Sequence, residues 1–243
     1  MRTLRLLACL AKVREMCNRY HPTRAEIIEA QWQFGEPRTG DRTWLPGIGP
    51  WSTGPFIRIR NIEPELVVGT WALVGDDDKK PINRPRMTNC ARSEELMGKK
   101  TFRGPWSRGQ RCLIPAERFD YPNWESGKNV WWTLRRADGD PWHLAGIWNT
   151  WTDPASGEVF ESYSMLTQNC DGHPLLSRFH KPEPDLPLDR QDKRTVVPLE
   201  VADFKTWLTG TVEEAKALIR LQPEAMFDAR PDGPDEPPQL TVT

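Results

Sequence analysis

The stretch that decides the fold runs from 129 to 149. It reads Asn129-Val-Trp-Trp-Thr-Leu-Arg-Arg136, then Ala-Asp-Gly-Asp, then Pro-Trp-His-Leu-Ala-Gly-Ile-Trp-Asn149. Both flanks are rich in the β-branched and aromatic residues that favour strands, and the four residues between them are typical of a hairpin turn. A second turn, Asp153-Pro-Ala-Ser-Gly157, precedes another such run, Val159–Thr167. Consecutive hairpins predict an antiparallel sheet.

The sequence on either side predicts further strands and several short helices. The predicted upstream strands are Phe56–Ile59, Leu66–Val74 and Arg111–Phe119. The predicted helices are Thr23–Trp32, opened by a capping box, then Ser93–Phe102, His173–His180, Ala202–Leu208 and one that begins at a second capping box, Thr211-Val-Glu-Glu214. The fold class is therefore α+β, with an antiparallel, barrel-like β-sheet core and short peripheral helices.

Composition predicts one domain with two terminal extensions. The chain has 243 residues, enough for one sizeable core. Residues 1–15 are interpreted as a leader or mistranslated extension, 16–228 as a single domain and 229–243, where prolines alternate with acidic residues, as a disordered tail. The Pro/Asp-rich stretch Lys181–Lys193 is predicted to be an unpacked insertion. The alternative for the leader is a helix that buries its leucines.

Charge and cysteine usage exclude several classes of protein. The formal net charge of -1 gives no overall attraction to nucleic acid, so any DNA contact must come from a local arginine patch. The five cysteines are odd in number and irregularly spaced, which argues against a disulfide framework and for a reducing compartment. No spacing is typical of a metal site, and no apolar run is long enough to cross a membrane.

Met16-Cys17 carries the most specific chemistry in this sequence. A cysteine directly after a methionine that can itself start the chain becomes N-terminal once that methionine is removed. Its α-amine then titrates near pH ~7.7–8.0 and its thiol near ~8.5, so both nucleophiles react at neutral pH. The amine can form a Schiff base with an aldehyde, and the thiol can close on the same carbon to give a thiazolidine. If residues 1–15 stay attached, Cys17 is an ordinary internal thiol.

Several motifs, in order, resemble the SRAP family, the SOS-response-associated peptidases also described as abasic-site processing proteins. The family begins Met-Cys-Gly-Arg-Phe, which is similar to Met16-Cys-Asn-Arg-Tyr20, and its Arg-Cys-Leu-Ile-Pro-Ala motif is present unchanged at 111–116. Other similar segments are Pro46-Gly47, Trp71-Ala-Leu73, Cys90-Ala-Arg-Ser-Glu94, Ala145-Gly-Ile-Trp148, His180 and Arg194-Thr-Val-Val-Pro198. The resemblance spans Met16 to about Leu221.

The resemblance implies a DNA damage response protein that recognises an abasic site in single-stranded DNA. It implies that Cys17 joins the ring-opened deoxyribose as a thiazolidine and shields the lesion. His180 is the candidate proton donor that opens the sugar, since an imidazole titrates near pH ~6.5; alternatively, it only caps a helix end. The candidate DNA contacts are Asn18, Arg19, Trp44, Asn89, Cys90 and Arg92. We expect a cytoplasmic, nucleoid-associated monomer without a cofactor.

Two family positions differ here. Tyr121 stands where the family has a catalytic glutamate, and a phenol with a pKa near ~10 is a poor general base. Asp120 is adjacent, but neighbouring strand residues face opposite sides, so it replaces the glutamate only if a bulge turns it inward; Glu125 is a second candidate. The family's asparagine is Cys90, with Asn89 just upstream. Cys90 either fills that space as a small buried thiol or pairs with Cys17.

Two other functions stay open at this point. One is a DNA-binding relative that has lost the covalent chemistry, which Tyr121 and Cys90 favour. The other is a cysteine autopeptidase, hence a hydrolase, in which Cys17 and His180 act as nucleophile and base.

The acidic run Gly75-Asp-Asp-Asp78 stands where relatives carry an aromatic that wedges against bases. It either repels phosphate or forms a solvated turn.

Overall fold

A computed structural model describes residues 19–32, 43–81 and 87–232. β-Strands are the commonest regular elements of the described residues. The strands are β1 (Tyr20–Pro22), β2 (Thr53–Arg60), β3 (Glu63–Trp71), β4 (Cys90–Arg92), β5 (Arg111–Asn123), β6 (Val130–Arg136), β7 (Trp142–Thr152), β8 (Val159–Asn169), β9 (Arg194–Val196), β10 (Pro198–Leu199) and β11 (Phe227–Pro231). The helices are α1 (Ala25–Gln31), α2 (Lys100–Ser107), α3 (Phe204–Thr209) and α4 (Val212–Ala217).

Five of these strands close into a barrel. The ring runs β7–β8–β3–β2–β5 and closes because β5 pairs with β7 from Arg111↔Ile147 to Ala116↔Trp142. Every pairing in the ring is antiparallel except that of β3 with β8, which is parallel at Thr70↔Ser162. The predicted fold class, an antiparallel barrel-like core with short peripheral helices, is confirmed.

Alternation along the barrel strands separates two hydrophobic clusters. On β5, Cys112 and Ile114 belong to the first cluster, which fills the barrel, while Leu113 belongs to the second. The second cluster lies between the outer barrel surface and the helices, where Trp106 of α2 and Trp207 of α3 are fully buried. Because successive side chains of a strand point to opposite sides, each long strand has one apolar face toward the barrel interior and one toward the helices.

β5 extends beyond the barrel and carries the candidate site. From Phe119 to Asn123 it pairs with β6 rather than with β7, and at Phe119 it also pairs with Tyr20 of β1. The predicted strand ends at Phe119, but the observed one continues through a proline, Pro122. This extension puts consecutive residues of β5 beside both the chain's N-terminal strand and the loop around 180.

Some predicted helices are wrong. Thr23 does not open α1: its backbone N–H bonds Pro115 O, and the residue before the helix is Arg24, whose side chain makes no cap. Between 173 and 180 there is only one 3₁₀ turn, Leu176–Arg178. By contrast, the capping box at Thr211 and Glu214 is formed in full.

Two further expectations about unpacked segments need correction. The predicted tail from 229 begins inside β11, which pairs with β6 from Phe227↔Arg136 to Pro231↔Trp132. The predicted insertion Lys181–Lys193 ends on a buried lysine and also buries Gln191. The domain boundaries at 16 and 228 remain predictions, and the leader 1–15 lies outside the described residues. No helix within the described ranges is both long and apolar enough to span a bilayer.

Candidate active site

Asp120 and Tyr121 occupy opposite faces of β5. Tyr121 contacts Phe179 and His180, whereas Asp120 contacts Arg19, His21 and Thr133. The strand is regular here, with Asp120 opposite Thr133 and Tyr121 opposite Trp132 on β6. No bulge turns Asp120 toward His180, so it does not take the place of the glutamate that Tyr121 replaces.

Tyr121 is fully buried and its hydroxyl is occupied by the backbone. Its oxygen accepts a hydrogen bond from the Val196 N–H at 3.0 Å and lies 3.3 Å from Thr195 Oγ1. Its ring stands 4.8 Å from the His180 ring and 5.8 Å from that of Phe179, measured between centroids. Tyr121 thus joins the histidine loop to β9 without supplying a carboxylate.

His180 has an uncommon backbone conformation and is held by two hydrogen bonds. Its φ of 66° lies in the left-handed region, which L-residues other than asparagine, aspartate and histidine seldom adopt. The His180 N–H donates to Pro122 O at 2.7 Å, and its Nε2 lies 2.8 Å from Arg194 O. Because a carbonyl only accepts, Nε2 carries the proton in this bond, so Nδ1 is the unprotonated nitrogen of the neutral ring.

Lys193 holds the same loop through two of its backbone carbonyls. Its Nζ donates to Phe179 O and to His180 O, both at 2.7 Å, and its own N–H donates to Asp171 Oδ1 at 2.7 Å. Desolvation lowers the pKa of this buried amine, although nearby Cys170 and Asp171 partly oppose the shift. The sequence analysis missed Lys193, because no local motif marks a lysine that acts through backbone carbonyls fourteen and thirteen residues away.

Asp120 organises a separate charged cluster. The carboxylate accepts from Arg19 Nε, from His21 Nε2 at 3.0 Å and from Thr133 Oγ1 at 2.7 Å. Burial alone would raise the pKa of Asp120, but these hydrogen bonds outweigh desolvation and hold it below its ordinary value. Arg19 also pairs with Asp232 at 2.7 Å. This cluster anchors β1, the first described strand after Cys17, to β5.

The other predicted site residues are dispersed. Cys90 is buried on β4 opposite Met165, with Asn89 Nδ2 3.5 Å from its Sγ. Asn89 O accepts from Trp71 Nε1 at 2.8 Å, and Arg92 pairs with Asp192 at 2.9 Å. Trp44 packs on the second cluster and donates to Thr23 O, so the structure does not bring it to His180. Cys17 and Asn18 lie outside the described residues.

Glu125 and Asp76 of the acidic run each pair with an arginine. Glu125 is exposed and pairs with Arg178, whose guanidinium lowers its pKa to about 2. Asp76 forms a bidentate pair with Arg108, as expected for a solvated turn. Within 19–32, 43–81 and 87–232, no group of three metal-ligating side chains is close enough to hold an ion.

The described residues thus form a five-stranded barrel with a buried histidine beside β5. The family of SOS response associated peptidases (SRAP) matches residues 16–231, and the chain belongs to it. Among curated proteins it is similar to "Abasic site processing protein HMCES" of Pongo abelii, with 28% identity over 65% of this chain and 47% of that protein. The Gallus gallus protein of the same name is 27% identical over 49% of this chain and 44% of its own length. The chain thus spans about half the length of these relatives.

Solved structures share the fold. A crystal structure of a Bordetella bronchiseptica protein superposes with a TM-score of 0.76 at 29% identity, covering 89% of this chain and all of that one. A Bacteroides thetaiotaomicron protein gives a TM-score of 0.71 at 17% identity, covering 88% of this chain and 91% of that one.

Proposed function

We propose that this protein processes abasic sites by joining Cys17 to the lesion in single-stranded DNA. The observation that carries the proposal is the enclosure of His180 against β5, in a chain whose family match begins at Met16. The names of the relatives point to abasic-site processing, although they are about twice as long as the matched part. The partner of this protein is DNA with an aldehydic sugar, and we expect the protein to act as a monomer.

The chemistry needs an open sugar and two nucleophiles. An abasic deoxyribose is mostly a closed hemiacetal, and a proton delivered to the ring oxygen opens it to the aldehyde. The α-amine of Cys17 then attacks the carbonyl and loses water to give the Schiff base, and the thiol adds across that C=N bond to close the thiazolidine. His180 suits the first step because an imidazole can act as a general acid, and its hydrogen bond to Arg194 O fixes the orientation of the ring.

Tyr121 changes the rate expected for this reaction. Its phenol is buried and bound to the Val196 N–H, so the side chain at 121 supplies no carboxylate for proton transfer. General acid–base groups contribute about 10²–10⁴-fold to such steps, so we expect adduct formation that is slow but detectable.

A denaturing gel tests the proposal directly. Protein that begins at Cys17 is incubated with labelled single-stranded DNA that carries one abasic site, and adduct is scored after boiling in detergent. We expect a shifted band with the wild-type and Cys112→Ala, whose thiol is buried inside the barrel, and none with Cys17→Ala. An equal band with Cys17→Ala would refute the assignment of the nucleophile.

A non-covalent DNA-binding relative is the second candidate, and the enclosed Tyr121 hydroxyl is the observation that favours it. It predicts that the same DNA is retarded on a native gel while no band survives denaturation. The third possibility, an autopeptidase, predicts cleavage of the full chain before Cys17 that depends on His180.

A further inference from the structure

Two tryptophan–cation pairs lie on either side of the loop that carries His180. The guanidinium carbon of Arg178 stands 5.7 Å from the ring centroid of Trp132, and Lys181 Nζ stands 5.0 Å from that of Trp124. Both cations are exposed and both tryptophans are half-buried. We call this surface of four residues the tryptophan lip.

The lip is fixed to the histidine loop and to the end of β5. Phe179 bridges Asn123 through the backbone, and its ring meets Trp132 edge-on at 5.9 Å. Arg178 also makes a bidentate ion pair with Glu125, at 2.8 and 2.9 Å. The lip is therefore directly attached to the loop that carries His180.

A comparison within the chain separates this surface from a purely structural pair. Arg58 stands 4.3 Å from the Trp148 centroid, but it is 2% exposed and is enclosed by Glu65 and Glu161. The Arg58 guanidinium is therefore not available to a ligand. Lys181, by contrast, is exposed and makes no ion pair with the carboxylates of the described ranges.

We propose that the tryptophan lip binds the bases of single-stranded DNA next to the lesion, with Trp124 and Trp132 as stacking surfaces and Lys181 on a backbone phosphate. This inference rests on the proposed function for its substrate. Exposed aromatic faces combined with cations are the means by which proteins hold single strands without reading their sequence. Duplex DNA hides its base faces, so the lip favours single strands.

Replacing Glu125 tests the proposal in the opposite direction, because this substitution is expected to strengthen DNA binding whereas the other substitutions in the lip weaken it. Its carboxylate occupies the Arg178 guanidinium and repels phosphate. If the lip binds DNA, Glu125→Gln frees Arg178 and strengthens binding. If the lip is only structural, the loss of this ion pair leaves DNA binding unchanged or weakens it.

The experiment measures fluorescence anisotropy of a labelled oligothymidylate without any lesion, at several salt concentrations. We expect Trp124→Leu to weaken binding at least about fivefold. Lys181→Gln lowers the salt slope by about one, and Glu125→Gln tightens binding by about two- to fivefold. Trp148→Leu, the matched control, binds as the wild-type does, and circular dichroism verifies that each variant is folded.

Two results would overturn the proposal that the lip binds single-stranded DNA. One is that Trp124→Leu and Lys181→Gln both bind the oligothymidylate as tightly as the wild-type does, and the other is that the wild-type protein does not bind it. Adduct formation with abasic DNA is scored separately. If the adduct forms while the lip variants bind normally, the lip is wrong and the proposed function stands. If the lip variants lose binding but Cys17 forms no adduct, the lip stands and the covalent function is wrong.

Discussion

Replacing Tyr121 by phenylalanine removes the hydroxyl of a side chain whose ring packs against His180. The ring keeps its contacts with Phe179 and His180, and only the hydroxyl is lost. The Val196 N–H, which donates to that hydroxyl at 3.0 Å inside the core, is left without this acceptor. An orphaned buried donor costs about 1–3 kcal/mol, so we expect Tyr121→Phe to lower the free energy of unfolding by that amount.

Urea unfolding followed by circular dichroism measures this loss of free energy. In thermal unfolding, a loss of about 1–3 kcal/mol lowers the Tm of a chain of this length by about 2–12 °C. Thr195→Val is the matched control, and we expect a smaller effect because its contact with Tyr121 is long, at 3.3 Å, and the Val196 N–H keeps its acceptor. Stability of Tyr121→Phe within about 0.5 kcal/mol of the wild-type would refute the reasoning, since only surface changes are normally so mild.

Three further predictions concern the loop, the charged cluster and the barrel edge. Lys193→Met should slow adduct formation about tenfold or more without changing affinity for lesion-free DNA, because it releases the carbonyls that orient His180; equal rates would contradict this. Asp120 has a lowered pKa, so it stabilises the fold above the unfolded value near ~3.9 and that contribution is lost as pH falls through the folded value. Asp120→Asn should therefore make the free energy of unfolding fall less steeply as the pH is lowered. An unchanged pH dependence would contradict this role of Asp120. Ile62→Asn should raise stability by about 0.5–1 kcal/mol in thermal unfolding, because Ile62 is exposed at φ 67° in the β2–β3 turn; a lower Tm would contradict this.

Runs of β-branched and aromatic residues, separated by hairpin turns, predicted the strands of the barrel because these are local signals. Each of the six predicted strands appears. Four of them are longer than predicted by two to four residues, as in β5, whereas β6 begins one residue later and β3 is shifted by three residues toward the N-terminus. Local capping signals were less dependable. Thr211 caps a solvent-exposed helix and behaves as its sequence predicts, whereas Thr23, with the same motif, is drawn into pairing with Pro115.

The candidate site was predictable only in part. That Asp120 and Tyr121 face opposite sides follows from the two-residue period of a strand, and their separate contacts agree with it. The strand β11 was missed because it contains five residues and depends on a distant partner, β6. Lys193 and the tryptophan lip depend on how the 170–194 loop folds back onto β5, which no local pattern records.

The intact mass of the protein, alone and after incubation with single-stranded DNA carrying one abasic site, tests the central claim most directly. The account predicts a species that begins at Cys17 and gains the mass of the oligonucleotide less one water, with Cys17→Ala unchanged in mass. A protein that begins at Cys17, binds the same DNA and yet shows no covalent gain would contradict the account.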